Sequence, residues 1–157
     1  MSIIQVERTI DAGHRVVGHK GKCQYLHGHT YTIKVELGSP VLTGPGFVLD
    51  FGDVKELIDR WDHKMLLWDE DPFFQELGGV IPDTMETYGL VNVPFNPTAE
   101  NMASNLCRKL HVMLFEAALI TKDGEFIKQM SRAFHTSVAV SETPTTIAWC
   151  ELKGMPS

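Results

Sequence analysis

The segment Cys23-Gln24-Tyr25-Leu26-His27-Gly28-His29-Thr30-Tyr31-Thr32-Ile33-Lys34-Val35-Glu36-Leu37 alternates apolar and polar residues over its second half. Tyr31, Ile33, Val35 and Leu37 fall on one parity; Thr30, Thr32, Lys34 and Glu36 fall on the other. A period of two is the signature of a β-strand with one buried face. His27 and His29 share the apolar parity. Residues two apart in a strand point the same way about 7 Å apart, so both imidazoles can converge on one ion. Two histidines turned toward a core need such a partner.

Upstream, Ile4, Val6, Ile10 and Ala12 alternate with Gln5, Glu7, Thr9 and Asp11, a second strand in which Arg8 is the exception on the apolar side. His14 continues the apolar parity of that strand. If the two inner faces meet, three neutral nitrogens surround one point, and Zn2+ with an open fourth position is the usual occupant of a three-histidine site. An open position allows the ion to polarise a carbonyl or acidify a hydroxyl.

Downstream, Val54, Leu57, Ile58, Trp61 and Met65 recur at helical spacing behind Asp53, predicting a helix from about Val54 to Met65. Leu66 to Phe95 is broken by Pro72, Gly78, Gly79, Pro82, Gly89 and Pro94 and reads as a long irregular connection with at most one short helix. Asn96-Pro97 predicts the start of a second helix, whose apolar stripe runs from Ala99 to Ala118 and stops before Asp123-Gly124. Phe134, Val138 and Val140 then alternate with His135, Ser137 and Ser141, a turn follows at Glu142 to Thr145, and Ile147 to Leu152 closes a hairpin. The order strand, strand, helix, helix, strand, strand predicts an α+β fold: one domain over residues 1–157, with a four-stranded antiparallel sheet covered on one face by two helices. Four strands leave edges exposed, which favours association between copies.

Other residues carry chemistry with an alternative beside each. Cys23 is a fourth metal ligand, a thiolate base in an electropositive loop, or a small buried residue, and its glycine and basic neighbours favour the base. Asp62-His63 is a proton relay or a histidine at a helix C-terminus. Glu142, on the parity of Val138 and Val140, is an inward carboxylate suited to the N–H edge of a pterin or guanine ring, or a solvated turn residue. Arg15, Lys20 and Lys22 form the one dense basic group, an anion receptor or a solvated loop. His19, His111 and His135 read as surface or loop histidines.

Composition bounds the partners. With 43% hydrophobic and 22% charged residues the chain of 157 is of globular type, and its formal net charge of −6 argues against nucleic acid or an anionic membrane as partner. Three cysteines suit reduced thiols. No basic, apolar leader and no long apolar run is evident, so a cytoplasmic location is expected.

Together, Asp11-Ala12-Gly13-His14-Arg15, Cys23-x-x-x-His27-Gly28-His29-x-Tyr31, Val48-Leu49-Asp50-Phe51, Trp61-Asp62-His63-Lys64, Asn96-Pro97-Thr98-Ala99-Glu100-Asn101 and Glu142-Thr143-Pro144 resemble the 6-pyruvoyltetrahydropterin synthase and 6-carboxytetrahydropterin synthase group over nearly the whole chain. The resemblance implies the tunnelling fold, a homohexamer built as a dimer of trimers, and active sites at subunit boundaries. It implies His14, His27 and His29 as zinc ligands, Cys23 as proton acceptor, Asp62 with His63 as relay, and Glu142 as pterin anchor. The spacing after Cys23 resembles the carboxy-forming branch. That reaction takes 7,8-dihydroneopterin triphosphate to 6-carboxy-5,6,7,8-tetrahydropterin, releasing acetaldehyde and triphosphate, on the way to queuosine and related deazaguanines. The alternatives are a pyruvoyl-forming synthase and a non-catalytic, zinc-stabilised pterin-binding protein. Two departures stand out: the long stretch from Leu66 to Phe95, and Gly13 where alanine is common.

Overall fold

The computed structural model describes residues 1–76 and 88–156. Two long strands, β1 (Ser2–His14) and β2 (His27–Ser39), pair antiparallel from Ser2↔Ser39 to His14↔His27. That register sets His14 opposite His27 and Ala12 opposite His29. Both apolar parities turn the same way: Val6, Ile10, Tyr31, Ile33, Val35 and Leu37 are all buried in one core.

The sheet has six strands among the described residues, not the four expected. Beside β1 lie β3 (Lys64–Trp68) and β4 (Leu90–Val93), both parallel to their neighbours. On the other side β2 pairs antiparallel with β5 (His135–Thr143), which pairs with β6 (Thr146–Lys153). The sheet is therefore mixed, in the order β4-β3-β1-β2-β5-β6. Strands of five and four residues in a stretch rich in proline and glycine are too short for a period of two to register, which is why Leu66 to Phe95 reads as irregular. Helix α2 (Pro72–Glu76) is the one short helix allowed for there, and the middle of the stretch, 77–87, lies outside the described residues.

Helix α1 spans Phe51–Asp59 rather than Val54 to Met65. Asp50, not Asp53, is the N-cap, its side chain accepting from the Gly52 amide. The helix stops early because the chain must turn into β3: the His63 amide donates to the Asp11 carbonyl at 2.7 Å, and His63 adopts a left-handed φ of 56°. Arg8, the charged exception on β1, forks onto the Asp59 carboxylate at the end of α1 with three bonds of 2.6 to 2.9 Å.

Helix α3 (Ala99–Thr121) is capped by Thr98, whose side chain accepts from the Asn101 amide. Its buried stripe, including Met102, Leu106, Leu110 and Leu114, closes the core over the sheet. Asp123 then caps a further short helix, α4 (Gly124–Gln129), which the sequence pattern does not announce. The turn after β5 begins only beyond Thr143, leaving Glu142 within the strand.

Candidate metal centre

Strand register delivers three imidazoles to one place. One ring nitrogen from each of His14, His27 and His29 lies within 4.8 Å of the others, a group able to hold one metal ion. Backbone carbonyls fix two of the rings. His14 Nδ1 donates to the Pro97 carbonyl at 2.5 Å, and His27 Nδ1 donates to the Tyr25 carbonyl at 2.8 Å. A carbonyl only accepts, so both rings carry their proton on Nδ1 and present bare Nε2 lone pairs.

Those two Nε2 atoms are 3.1 Å apart. Facing lone pairs at that distance repel unless a proton or a cation lies between them. A proton is disfavoured, because burial, with the neighbouring imidazoles adding to it, pushes the His14 pKa down to about 4. His29 Nε2 is also buried and has no hydrogen-bond partner among the described residues. Bare lone pairs and an orphaned nitrogen are what a cation would satisfy, so the donor set fits zinc.

The loop bearing Cys23 is tied to the start of α3. Asn96 accepts from the Val17 amide at 3.0 Å and donates to the Val17 carbonyl at 2.8 Å, a two-way clamp. It serves this tie, while Thr98 caps the helix. Cys23 sits in a single 3-10 turn, Lys22–Gln24, half-buried and unlinked. Its sulfur is not in the cluster of candidate ligand atoms. Instead it lines a cavity of about 420 Å3 with His19, Thr98, Glu100, Val140 and Glu142. Glu142 Oε1 lies 3.8 Å from His14 Nε2, so this cavity adjoins the histidines through that carboxylate.

Asp62 and His63 are placed differently. The Asp11 amide and, secondarily, His63 hold the Asp62 carboxyl below its ordinary range, and Asp62 Oδ1 lies 3.0 Å from His63 Nδ1. The His63 ring is exposed and lines a separate opening with His29, Lys64, Tyr88 and Gly89. Within one chain, then, the structure brings Glu142 to the histidines and Cys23 to Glu142, but His63 lines a different cavity from Cys23.

Several other expectations resolve. His19 is exposed, as read. His111 is not a surface residue, whereas His135 begins β5 with a partly exposed side chain. His111 is buried on α3 between Thr136 and the Gly154 carbonyl, and His135 is bracketed by Glu36 and Glu151 across the sheet. Arg15 turns to the buried Asp71 carboxylate at 3.2 Å, which leaves Lys20 and Lys22 as the exposed cations of that basic group. Tyr31, read only as an apolar strand position, is fully buried yet its hydroxyl has no partner among the described residues. Such a group costs about 1–3 kcal/mol. Burial and then the charges of Glu142 and Cys23 push its pKa far up, so it stays a phenol.

A sequence profile described as 6-pyruvoyl tetrahydropterin synthase matches residues 3–153. The chain belongs to the 6-pyruvoyl tetrahydropterin synthase family. A Rickettsia bellii protein named 6-carboxy-5,6,7,8-tetrahydropterin synthase is 36% identical over 141 residues, covering 85% of this chain and 88% of its own length. A Halobacterium salinarum protein named as a probable 6-carboxy-5,6,7,8-tetrahydropterin synthase is 38% identical over 142 residues, covering 88% and 79%. Among solved structures, a Plasmodium vivax 6-pyruvoyltetrahydropterin synthase aligns over 97% of this chain and 98% of its own with a TM-score of 0.58 at 22% identity. That likeness supports the α+β architecture described above. No described helix is long and apolar enough to cross a membrane.

Proposed function

We propose that this protein is a zinc-dependent 6-carboxytetrahydropterin synthase, a lyase taking 7,8-dihydroneopterin triphosphate to 6-carboxy-5,6,7,8-tetrahydropterin with release of acetaldehyde and triphosphate. The observation that carries the reading is the cluster of His14, His27 and His29 with the Cys23 thiol outside it, lining an adjoining cavity. A site that keeps its thiol off the metal is arranged for catalysis rather than for structure. The names of the curated relatives supply the product.

In this reading a zinc ion held by the three histidines supplies Lewis-acid polarisation of the substrate's side-chain oxygens. Glu142 grips the N–H edge of the pterin through two parallel hydrogen bonds and fixes the ring. Cys23 takes a proton from the side chain, and His63, oriented by Asp62, returns one. The Pro97 and Tyr25 carbonyls hold His14 and His27 in the tautomer that keeps Nε2 free.

The proposal extends to a cytoplasmic homohexamer of the tunnelling fold, a dimer of trimers acting at an early step toward queuosine and related deazaguanines. Two facts support assembly: β6 is an edge strand carrying exposed Ile147 and Trp149, and Cys23 and His63 line different cavities of one chain. Subunits packed edge to edge would join the thiol of one chain to the relay of another.

The deciding assay incubates purified, zinc-loaded protein with 7,8-dihydroneopterin triphosphate. Acetaldehyde and a 6-carboxy product are expected. A product that keeps the full side chain would instead identify a pyruvoyl-forming enzyme, and no turnover at all would leave a binding protein.

A further inference from the structure

Tyr31 follows His27 and His29 on the same face of β2, and its ring meets both His14 and His29 edge-on, with centroids 5.8 and 5.5 Å apart. The β2–β5 ladder ends at Thr32↔Ser141, the residues next to Tyr31 and Glu142. The phenol therefore packs against the histidine cluster, whose His14 Nε2 is 3.8 Å from Glu142 Oε1. Its ring is wholly buried, but its hydroxyl bonds to nothing among the described residues. Phenylalanine would pack as well and leave no polar group unpaired. A buried donor kept without a partner beside a site calls for a ligand that supplies the acceptor.

We propose that the Tyr31 hydroxyl is a substrate-binding group, donating a hydrogen bond to an oxygen of the substrate's polyol side chain where that chain runs from the histidine cluster toward Glu142. The inference rests on the pterin reading given above and adds a residue to it. Cys23 is a proton acceptor in that reading and Glu142 binds the ring, so neither offers the side chain a neutral donor. Tyr31 does, and a strand fixes its position.

Tyr31→Phe removes one oxygen and keeps the shape. Because the hydroxyl is unpaired in the free protein, the variant should melt at the same temperature as wild type or higher, with unchanged zinc content. A hydroxyl with a structural role would move melting the other way. Calorimetric titration of zinc-loaded protein should show neopterin binding weakened about threefold to tenfold, while pterin lacking the side chain binds as it does to wild type. Steady-state kcat/KM should fall about tenfold or more. The proposal is overturned if both pterins bind the variant as they bind wild type, if both weaken equally, or if melting and affinity drop together. Wild-type protein that binds these pterins yet releases no acetaldehyde would remove the assigned reaction while the two binding arms still judge Tyr31; wild-type protein that binds neither would overturn both.

Discussion

The histidine cluster and the Asp62–His63 pair are two polar centres built in opposite ways. His14 is 1% exposed, and its ring, like that of His27, is pinned by a backbone carbonyl. The His63 side chain is 78% exposed and held by Asp62, on a residue with left-handed backbone. One centre is buried and anchored, and the other is open to solvent. A buried, pinned cluster can bind its ion with no ordering step, whereas an exposed imidazole on a strained turn gains a defined role only when something covers it.

The largest test of that contrast is His14→Ala. Removing a ligand from the buried centre should abolish zinc retention, measured by elemental analysis, and reduce turnover to background. A chelator should do the same to wild type. Retention of zinc at the wild-type level by this variant would sink the three-histidine assignment.

Next in size are Cys23→Ala and His63→Asn. Each should lower turnover about a hundredfold to ten-thousandfold while leaving zinc bound, as expected for lost proton transfer. Because the two side chains line different cavities, mixing the two inactive variants and letting subunits exchange should restore activity, at roughly a quarter of sites under random pairing. No recovery in hybrids verified by native mass spectrometry would place both groups in one chain's site.

The same contrast decides what could be read from sequence. Strands β1, β2, β5 and β6 each run eight residues or more, long enough for alternation to reveal the buried face. Parity therefore aligned His14, His27 and His29, and left open an inward Glu142, whose carboxylate lies 3.8 Å from His14. Strands β3 and β4 are short, and parallel pairing between distant segments leaves no local mark. Asp62 and His63 sit where α1 gives way to β3, so their placement depended on a helix end that the pattern put too late. A left-handed φ at a non-glycine residue and a two-way amide clamp at Asn96 are tertiary facts. Nothing in the local sequence announces either, and the unpaired state of the Tyr31 hydroxyl is equally invisible until the core closes.

A smaller effect is expected at Asn96. Alanine there breaks both bonds to Val17 and leaves its amide and carbonyl without those partners, at a cost of about 1–3 kcal/mol. For a chain of this length that lowers the melting temperature by about 2–4 °C per kcal/mol. The histidines themselves keep their contacts, so zinc content should hold while Cys23, on the loosened loop, becomes more open to thiol reagents. Unchanged thiol reactivity would mean the clamp does not position that loop.

The smallest effect lies at the joint between the two centres, where β1 meets β3. Gly13 precedes His14 and pairs with Met65, two residues after His63. A Cβ at residue 13 would come 2.5 Å from Met65 Cε, 2.8 Å from its Sδ and 3.3 Å from the His27 carbonyl oxygen. The Met65 thioether thus fills the space that a methyl at position 13 would take. Methionine is the most adaptable apolar side chain, so Gly13→Ala should push it aside at modest cost. The substitution also narrows the unfolded ensemble, which is worth about 0.4–1 kcal/mol in the opposite sense. The net change should stay within about 1 kcal/mol in a denaturant titration. A loss well beyond that, with zinc released at the same time, would show that the His27 carbonyl cannot give way and that the joint is as rigid as the cluster beside it.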